Sequence, residues 1–191
     1  MKPTHTLLYC LCLLPALASA GNWRIDDAQS RLGFQYQAMG APIEGEFRHY
    51  LADIQWDATI PATAKIRLDV DTASIDAGLP DATSEAMNAQ FFDSRHYPWA
   101  RFVSTAVQPQ GNGRYLLTGT LTIKGVSRPV SLPILLATDG STQQLKGTFS
   151  LKRLDYGIGL GQWADTSALA DDVRVAFSFK LLLIAAPGHQ K

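Results

Sequence analysis

"VRVAFSFKL" (173–181) places Val173, Val175, Phe177, Phe179 and Leu181 on one side of an extended chain and Arg174, Ser178 and Lys180 on the other. Side chains of a β-strand alternate between faces, so a period of two marks a strand with one buried and one wet face. The same alternation recurs at Leu32, Phe34 and Tyr36, at Ile66, Leu68 and Val70, at Tyr115, Leu117, Gly119, Leu121 and Ile123, and at Leu145, Gly147, Phe149 and Leu151. Further strands are expected over 43–56, 99–108 and 129–137. Turn residues separate the runs, at "GNG" (111–113), "KGVSRP" (124–129) and "TDGS" (138–141).

One stretch breaks the pattern. In "LPDATSEAMNAQFFDSRHYP" (79–98), Pro80 and Asp81 suit the first turn of a short helix running through Ala89, and Pro98 closes the segment. The expected fold is therefore all-β, an antiparallel barrel of about eight strands with one short helical crossover. A barrel is favoured over a sandwich because closure removes exposed strand edges. Eight strands enclose an interior that side chains fill or that holds one small ligand. Gly119 and Gly147, on inward-facing positions, fit either a wider tunnel or an ordinary core with bulges.

The first twenty residues stand apart. "MKPTHTLLYCLCLLPALASA" combines Lys2, an apolar run from Leu7 to Leu17 and Ala18-Ser19-Ala20, the layout of a cleaved secretory signal peptide. The apolar run is well short of the roughly 20 residues that span a bilayer. Residues 1–20 are thus expected to be removed, leaving 21–191 as a single domain. Both cysteines, Cys10 and Cys12, lie in the leader, so the exported chain has no disulfide, thiolate metal site or cysteine nucleophile. Loss of Lys2 leaves the basic side chains one short of the 17 acidic ones, which gives no electrostatic footprint for nucleic acid.

Chemistry-bearing clusters are sparse. "DYGIGLGQWADTSALADDV" (155–173) spaces Gly157, Gly159 and Gly161 two apart, but a dinucleotide fingerprint needs a different spacing between a strand and a helix. The glycines read instead as clearance for backbone packing beside Trp163. Asp165, Asp171 and Asp172 lack the spacing of a calcium loop. His49, His96 and His189 stand at no metal-ligand spacing. Asp93, Ser94 and His96 have no glycine elbow to make a nucleophile and read as hydrogen-bonding residues of a loop. No catalytic residue and no metal ligand is assigned.

Five blocks in order resemble the YceI-like family of bacterial periplasmic polyisoprenoid-binding proteins: "WRIDDAQSRLGFQYQAMGAPIEGEF" (23–47), "LDVDTASIDAG" (68–78), "FFDSRHYPWARFVST" (91–105), "GTLTIKGVSRPVSLP" (119–133) and "LDYGIGLGQWADTSALADDVRVAFSF" (154–179). Trp23, Asp26, Ser30 and Phe34 match the opening motif, Lys124 and Gly125 the "LTIKG" hairpin, and Asp155, Tyr156 and Gly157 the approach to the last strand.

The resemblance implies a lipocalin-like barrel, a periplasmic location, no enzymatic activity, and an isoprenoid lipid or quinone held in an apolar interior. On that basis Phe34, Tyr36, Leu121, Phe149, Phe177 and Phe179 are expected to form the tunnel wall, with Phe92 and Trp163 near a mouth. The "GIGLGQWAD" block resembles a subgroup associated with membrane b-type cytochromes, so an accessory subunit or quinone chaperone docking on such a cytochrome is the alternative. A homodimer is compatible with the resemblance, and the ligand's length and head group stay open.

Overall fold

In the computed structural model, which describes residues 21–57 and 59–184, eleven strand segments form one antiparallel sheet. They are β1 (Gly21–Ile25), β2 (Arg31–Ala38), β3 (Ala41–Phe47), β4 (Tyr50–Trp56), β5 (Lys65–Asp71), β6 (Ile75–Asp76), β7 (Trp99–Gly111), β8 (Arg114–Ile123), β9 (Val126–Asp139), β10 (Thr142–Lys152) and β11 (Asp172–Ile184). The order β1-β4-β5-β7-β8-β9-β10-β11 returns to β1 through the Trp23↔Leu183 and Ile25↔Leu181 pairs, which closes an eight-stranded barrel. The leader assigned to residues 1–20 lies outside the described residues.

Three of the eight staves are bent. A 3-10 turn at Asp27–Gln29 separates β1 from β2, Arg48 and His49 separate β3 from β4, and a second 3-10 turn at Thr72–Ser74 separates β5 from β6. As a result β11 changes partner along its length, pairing with β1 over 181–184 and with β2 over 174–178. The changeover at Lys180 leaves no orphan backbone groups: its N–H donates to Ser30 Oγ at 2.9 Å, and its carbonyl accepts from Asp26 N at 2.8 Å. Asp26 and Ser30 of the opening motif are thus the residues that flank the bend. Beyond the bends, β2, β3 and β6 pair with one another and continue the sheet from β11, splaying that end of the barrel away from β1, β4 and β5.

The hairpins follow from their turns. Met39-Gly40, Asn112-Gly113 and Lys124-Gly125 each supply two successive residues with positive φ, from 49° to 78°. That is the two-residue turn whose twist matches the strands it joins. The expected runs appear as strands, with one correction: 43–56, expected as a single strand, is broken at Arg48-His49 into β3 and β4, which pair with different neighbours. The N-terminal segment β1 and the two-residue β6 were not legible from alternation, because each is too short to show a period. The helix, α1 (Pro80–Ala86), ends three residues earlier than the spacing suggests. Beyond Met87, backbone N–H groups of Phe91, Phe92, Asp93 and Ser94 turn back onto carbonyls at 86–88 and fold the chain into successive turns.

Buried residues form a main core that includes Ile54, Trp56, Phe102, Leu117, Ile134, Phe179 and Leu181. A small second cluster of Ile75, Ala77 and Ala86 lies under α1 against Phe34, Phe47 and Phe92. The unsplayed end is plugged by Trp56, edge-on to Tyr115 with ring centroids 4.9 Å apart. Here the Trp23 and Trp56 indole N–H groups are buried without a protein partner.

Candidate functional site

Between the two clusters runs a cavity of about 600 Å³, within the range of about 300–1,000 Å³ typical of small-ligand sites. It is lined by inward faces of almost every stave: Leu32 and Phe34 from β2, Phe102 from β7, Leu117 and Leu121 from β8, Leu132 from β9, Leu145 and Phe149 from β10, Val175 and Phe179 from β11. The alternation that makes each segment a strand also makes its inner face apolar, so the wall is continuous around the ring.

All six residues expected on the wall line this cavity: Phe34, Tyr36, Leu121, Phe149, Phe177 and Phe179. Phe177 and Phe179 stack at 5.3 Å, and Tyr36, Phe34, Phe47 and Phe92 form a run of ring contacts leading under α1. Tyr36 Oη donates to the Ala77 carbonyl at 2.8 Å, and burial pushes its hydroxyl above the ordinary tyrosine range. Its one polar atom is therefore committed to the segment that leads into α1.

Phe92 and Trp163 line the cavity as well, in different settings. Phe92 sits beneath α1, edge-on to Phe47, whereas Trp163 stands across from the helix. Trp163 Nε1 donates to Glu85 Oε1 at 3.3 Å, and its ring meets Phe91 at 5.9 Å. Lining residues become solvent-exposed at Met39, Leu79, Asp81 and Gln162, which marks the opening between the β2–β3 turn, α1 and the 161–164 turn.

Gly119 and Gly147 do not widen the space. A Cβ on Gly147 would collide with the Phe177 ring, and one on Gly119 with the Phe102 ring. Gly45 is overlaid by Phe34 in the same way. In each case a neighbouring strand's aromatic ring covers the glycine, so the missing side chain makes room for the wall itself.

The 155–173 segment is organised by a residue that alternation and motif spacing did not single out. Arg153, 3 % exposed, sends Nε to the Ala170 carbonyl, Nη1 to those of Ile158 and Gly159, and Nη2 to those of Trp163 and Leu169, at 2.6–3.0 Å. All five of its N–H donors are used. Burial lowers its pKa, and the Asp171 charge opposes that shift. Gly157, Gly159 and Gly161 all have left-handed φ, 65°, 72° and 65°, which turns successive carbonyls inward towards the guanidinium. Clearance is needed for Arg153 at Gly159 and for Gln90 at Gly161, rather than for Trp163.

Lys124 staples this loop to the segment after α1. Its Nζ donates to the carbonyls of Ala89 at 2.7 Å and Gly157 at 3.0 Å. Gly159 N and Leu160 N add bonds to the Gln90 carbonyl. Asp93, Ser94 and His96 form no nucleophilic relay: His96 Nδ1 bonds Asp93 Oδ1 at 2.8 Å, while Ser94 Oγ is buried without a partner. Asp171 accepts from Leu154 N, and Asp165 from Ser167 N and Oγ, so both carboxylates brace the loop.

The YceI-like domain model matches residues 23–181. A UPF0312 protein of Pseudomonas putida strain W619 is 31 % identical over 160 residues, covering 81 % of this chain and 78 % of that one. A UPF0312 protein of Shewanella sp. strain ANA-3 is 29 % identical over 155 residues, covering 76 % and 81 %. Among solved structures, Burkholderia cenocepacia BcnA superposes with a TM-score of 0.79 at 35 % identity, covering 82 % of this chain and 98 % of that one. A polyisoprenoid-binding domain from Saccharophagus degradans, implicated in plant cell wall breakdown, shares the fold at a TM-score of 0.67 and 14 % identity, over 86 % and 99 % of the two chains. With its family match spanning nearly the whole barrel, the chain belongs to the YceI-like family.

Proposed function

We propose that this protein is a periplasmic binding or carrier protein for a long isoprenoid lipid, a polyprenyl or ubiquinone-type chain, and that it is not an enzyme. The observation that carries the reading is the 600 Å³ cavity, walled on nearly all sides by aromatic and aliphatic side chains. Isoprenoid chains are nearly insoluble, since each buried methylene is worth roughly 0.8 kcal/mol and a five-carbon unit about 3 kcal/mol before ordering costs. A dry wall without free hydrogen-bonding groups recovers that energy and competes with nothing else. The named ligand of the Saccharophagus degradans domain is a polyisoprenoid, in keeping with this reading. Phe34, Tyr36, Leu121, Phe149, Phe177 and Phe179 are the proposed contact residues, with Phe92 and Trp163 towards the helix-covered end.

Native mass spectrometry of protein exported and purified without detergent tests it. The expected result is an added mass that organic extraction releases as an isoprenoid. An unliganded protein that also fails to take up added ubiquinone or polyprenyl phosphate would overturn the reading.

A further inference from the structure

Four side chains among the described residues lining the cavity belong to charged residue types: Arg67, Asp81, Glu85 and Arg153. The two arginines are spent. Arg67 alternates with the inward Ile66 and Leu68, and its guanidinium lies on the outer face, 2.8 Å from Asp69 Oδ2. Arg153 gives every N–H to a backbone carbonyl and is almost fully buried. That leaves Asp81 and Glu85, four residues apart on α1 and so on one face of the helix at the opening. Glu85 is held in place by Trp163 Nε1 on Oε1 and by Asn88 Nδ2 on Oε2 at 3.1 Å.

We infer that this mouth selects lipids whose polar end carries no negative charge, with Asp81 and Glu85 as the residues that reject anionic head groups. The inference rests on the carrier reading and narrows its ligand class. With the deeper wall apolar and Tyr36 Oη already bonded to Ala77, the ligand's polar end stays at the opening. Among the described lining residues, a phosphate there meets two carboxylates and no free guanidinium or ammonium, so like-charge repulsion is added to its desolvation. A quinone, phenol or alcohol end carries no charge for the carboxylates to repel. Specificity of this kind comes from what the site disfavours.

Geranylgeraniol and geranylgeranyl phosphate share a chain and differ only in the phosphate, so their affinities, measured by displacement of a fluorescent fatty probe, isolate the head-group effect. The unmodified protein should bind the alcohol at least about tenfold more tightly at low salt, and the gap should narrow near 1 M salt, where the screening length falls to about 3 Å. Asp81→Asn combined with Glu85→Gln should raise phosphate affinity severalfold relative to alcohol affinity, with the glutamine carbonyl accepting from Trp163 in place of Glu85 Oε1. Should the double variant fold poorly, Asp81→Asn alone, at an exposed position, is expected to show part of the gain. Equal or tighter binding of the phosphate by the unmodified protein overturns the inference. So does a preference for alcohol that neither salt nor these substitutions reduce, since phosphate desolvation would then account for it. Binding of neither lipid, nor of ubiquinone, overturns the carrier reading itself.

Discussion

The Arg153 guanidinium occupies the space that a side chain on Gly159 would need: a Cβ there would stand 2.5 Å from Nη1. The loop and the arginine are therefore one unit. Gly159→Val should disrupt it twice over, by the collision and by forcing a β-branched residue to φ 72°, at a cost on the order of 2–4 kcal/mol. Urea unfolding of the variant checks this, and lipid uptake should fall along with stability. A fully stable Gly159→Val protein would show that the loop can re-form without the arginine's bonds.

Arg153→Met should be at least as damaging. It removes five donors and leaves the carbonyls of Ile158, Gly159, Trp163, Leu169 and Ala170 short of partners, on the order of 3 kcal/mol or more given about 1–3 kcal/mol per stranded buried group. Hydrogen exchange should locate the loss in 153–171, with the β8–β9 hairpin protected as before.

Gly147 and Phe177 offer a test of the ring-over-glycine contacts. Gly147→Ala places a methyl into the Phe177 ring and should cost about 1–3 kcal/mol. Pairing it with Phe177→Leu should recover part of that loss, giving a coupling energy of about 1 kcal/mol. Thermal melts of the two single variants and the double variant supply the cycle; strict additivity would mean that the ring is not what fills the space.

Tyr36→Phe deletes the bond to the Ala77 carbonyl and should cost about 1 kcal/mol. Its more telling effect is local. Amide exchange should quicken across 77–86, because that bond ties the approach to α1 to the barrel wall.

Acid sensitivity should trace in part to Asp69. Burial raises its pKa, but hydrogen bonds and charges from Arg101 and Arg67 outweigh that and hold it below the ordinary value. A lowered folded-state pKa means that the stabilisation is fully present above the unfolded value of about 3.9 and is lost as pH falls through the lower folded value. Asp69→Asn should therefore reduce stability at neutral pH and flatten its decline below about pH 4. Parallel decline of variant and parent between pH 5 and 2 would assign the acid response elsewhere.

The legible part of this molecule is what alternation encodes. Val173 to Leu181 announces a strand with an apolar side, and the same holds for the runs ending at Tyr36, Val70, Ile123 and Leu151. Once those strands close, their inward residues must be wall, which is why Phe34, Tyr36, Leu121, Phe149, Phe177 and Phe179 line one space, whereas Phe92 and Trp163 reach it from turns outside the strands. Arg153 was not legible because its partners are backbone carbonyls, five to seventeen residues away, which carry no sequence signature. The glycines at 119 and 147 were ambiguous for a related reason. Whether a missing side chain leaves a void depends on which ring from the next strand lies over it.

The all-β class, the hairpin turns at 111–113, 124–125 and 140–141 and the apolar inner face are all written in the chain, since each follows from local periodicity and turn chemistry. The chain also carries the family, through five ordered blocks. Where staves bend and β11 changes partner, which glycines are covered by rings, and that the mouth presents two carboxylates while Arg67 and Arg153 are spent were set by the folded arrangement. Those outcomes depend on atoms far apart in sequence meeting in space, and a linear pattern records the side chains but not the partners that consume them.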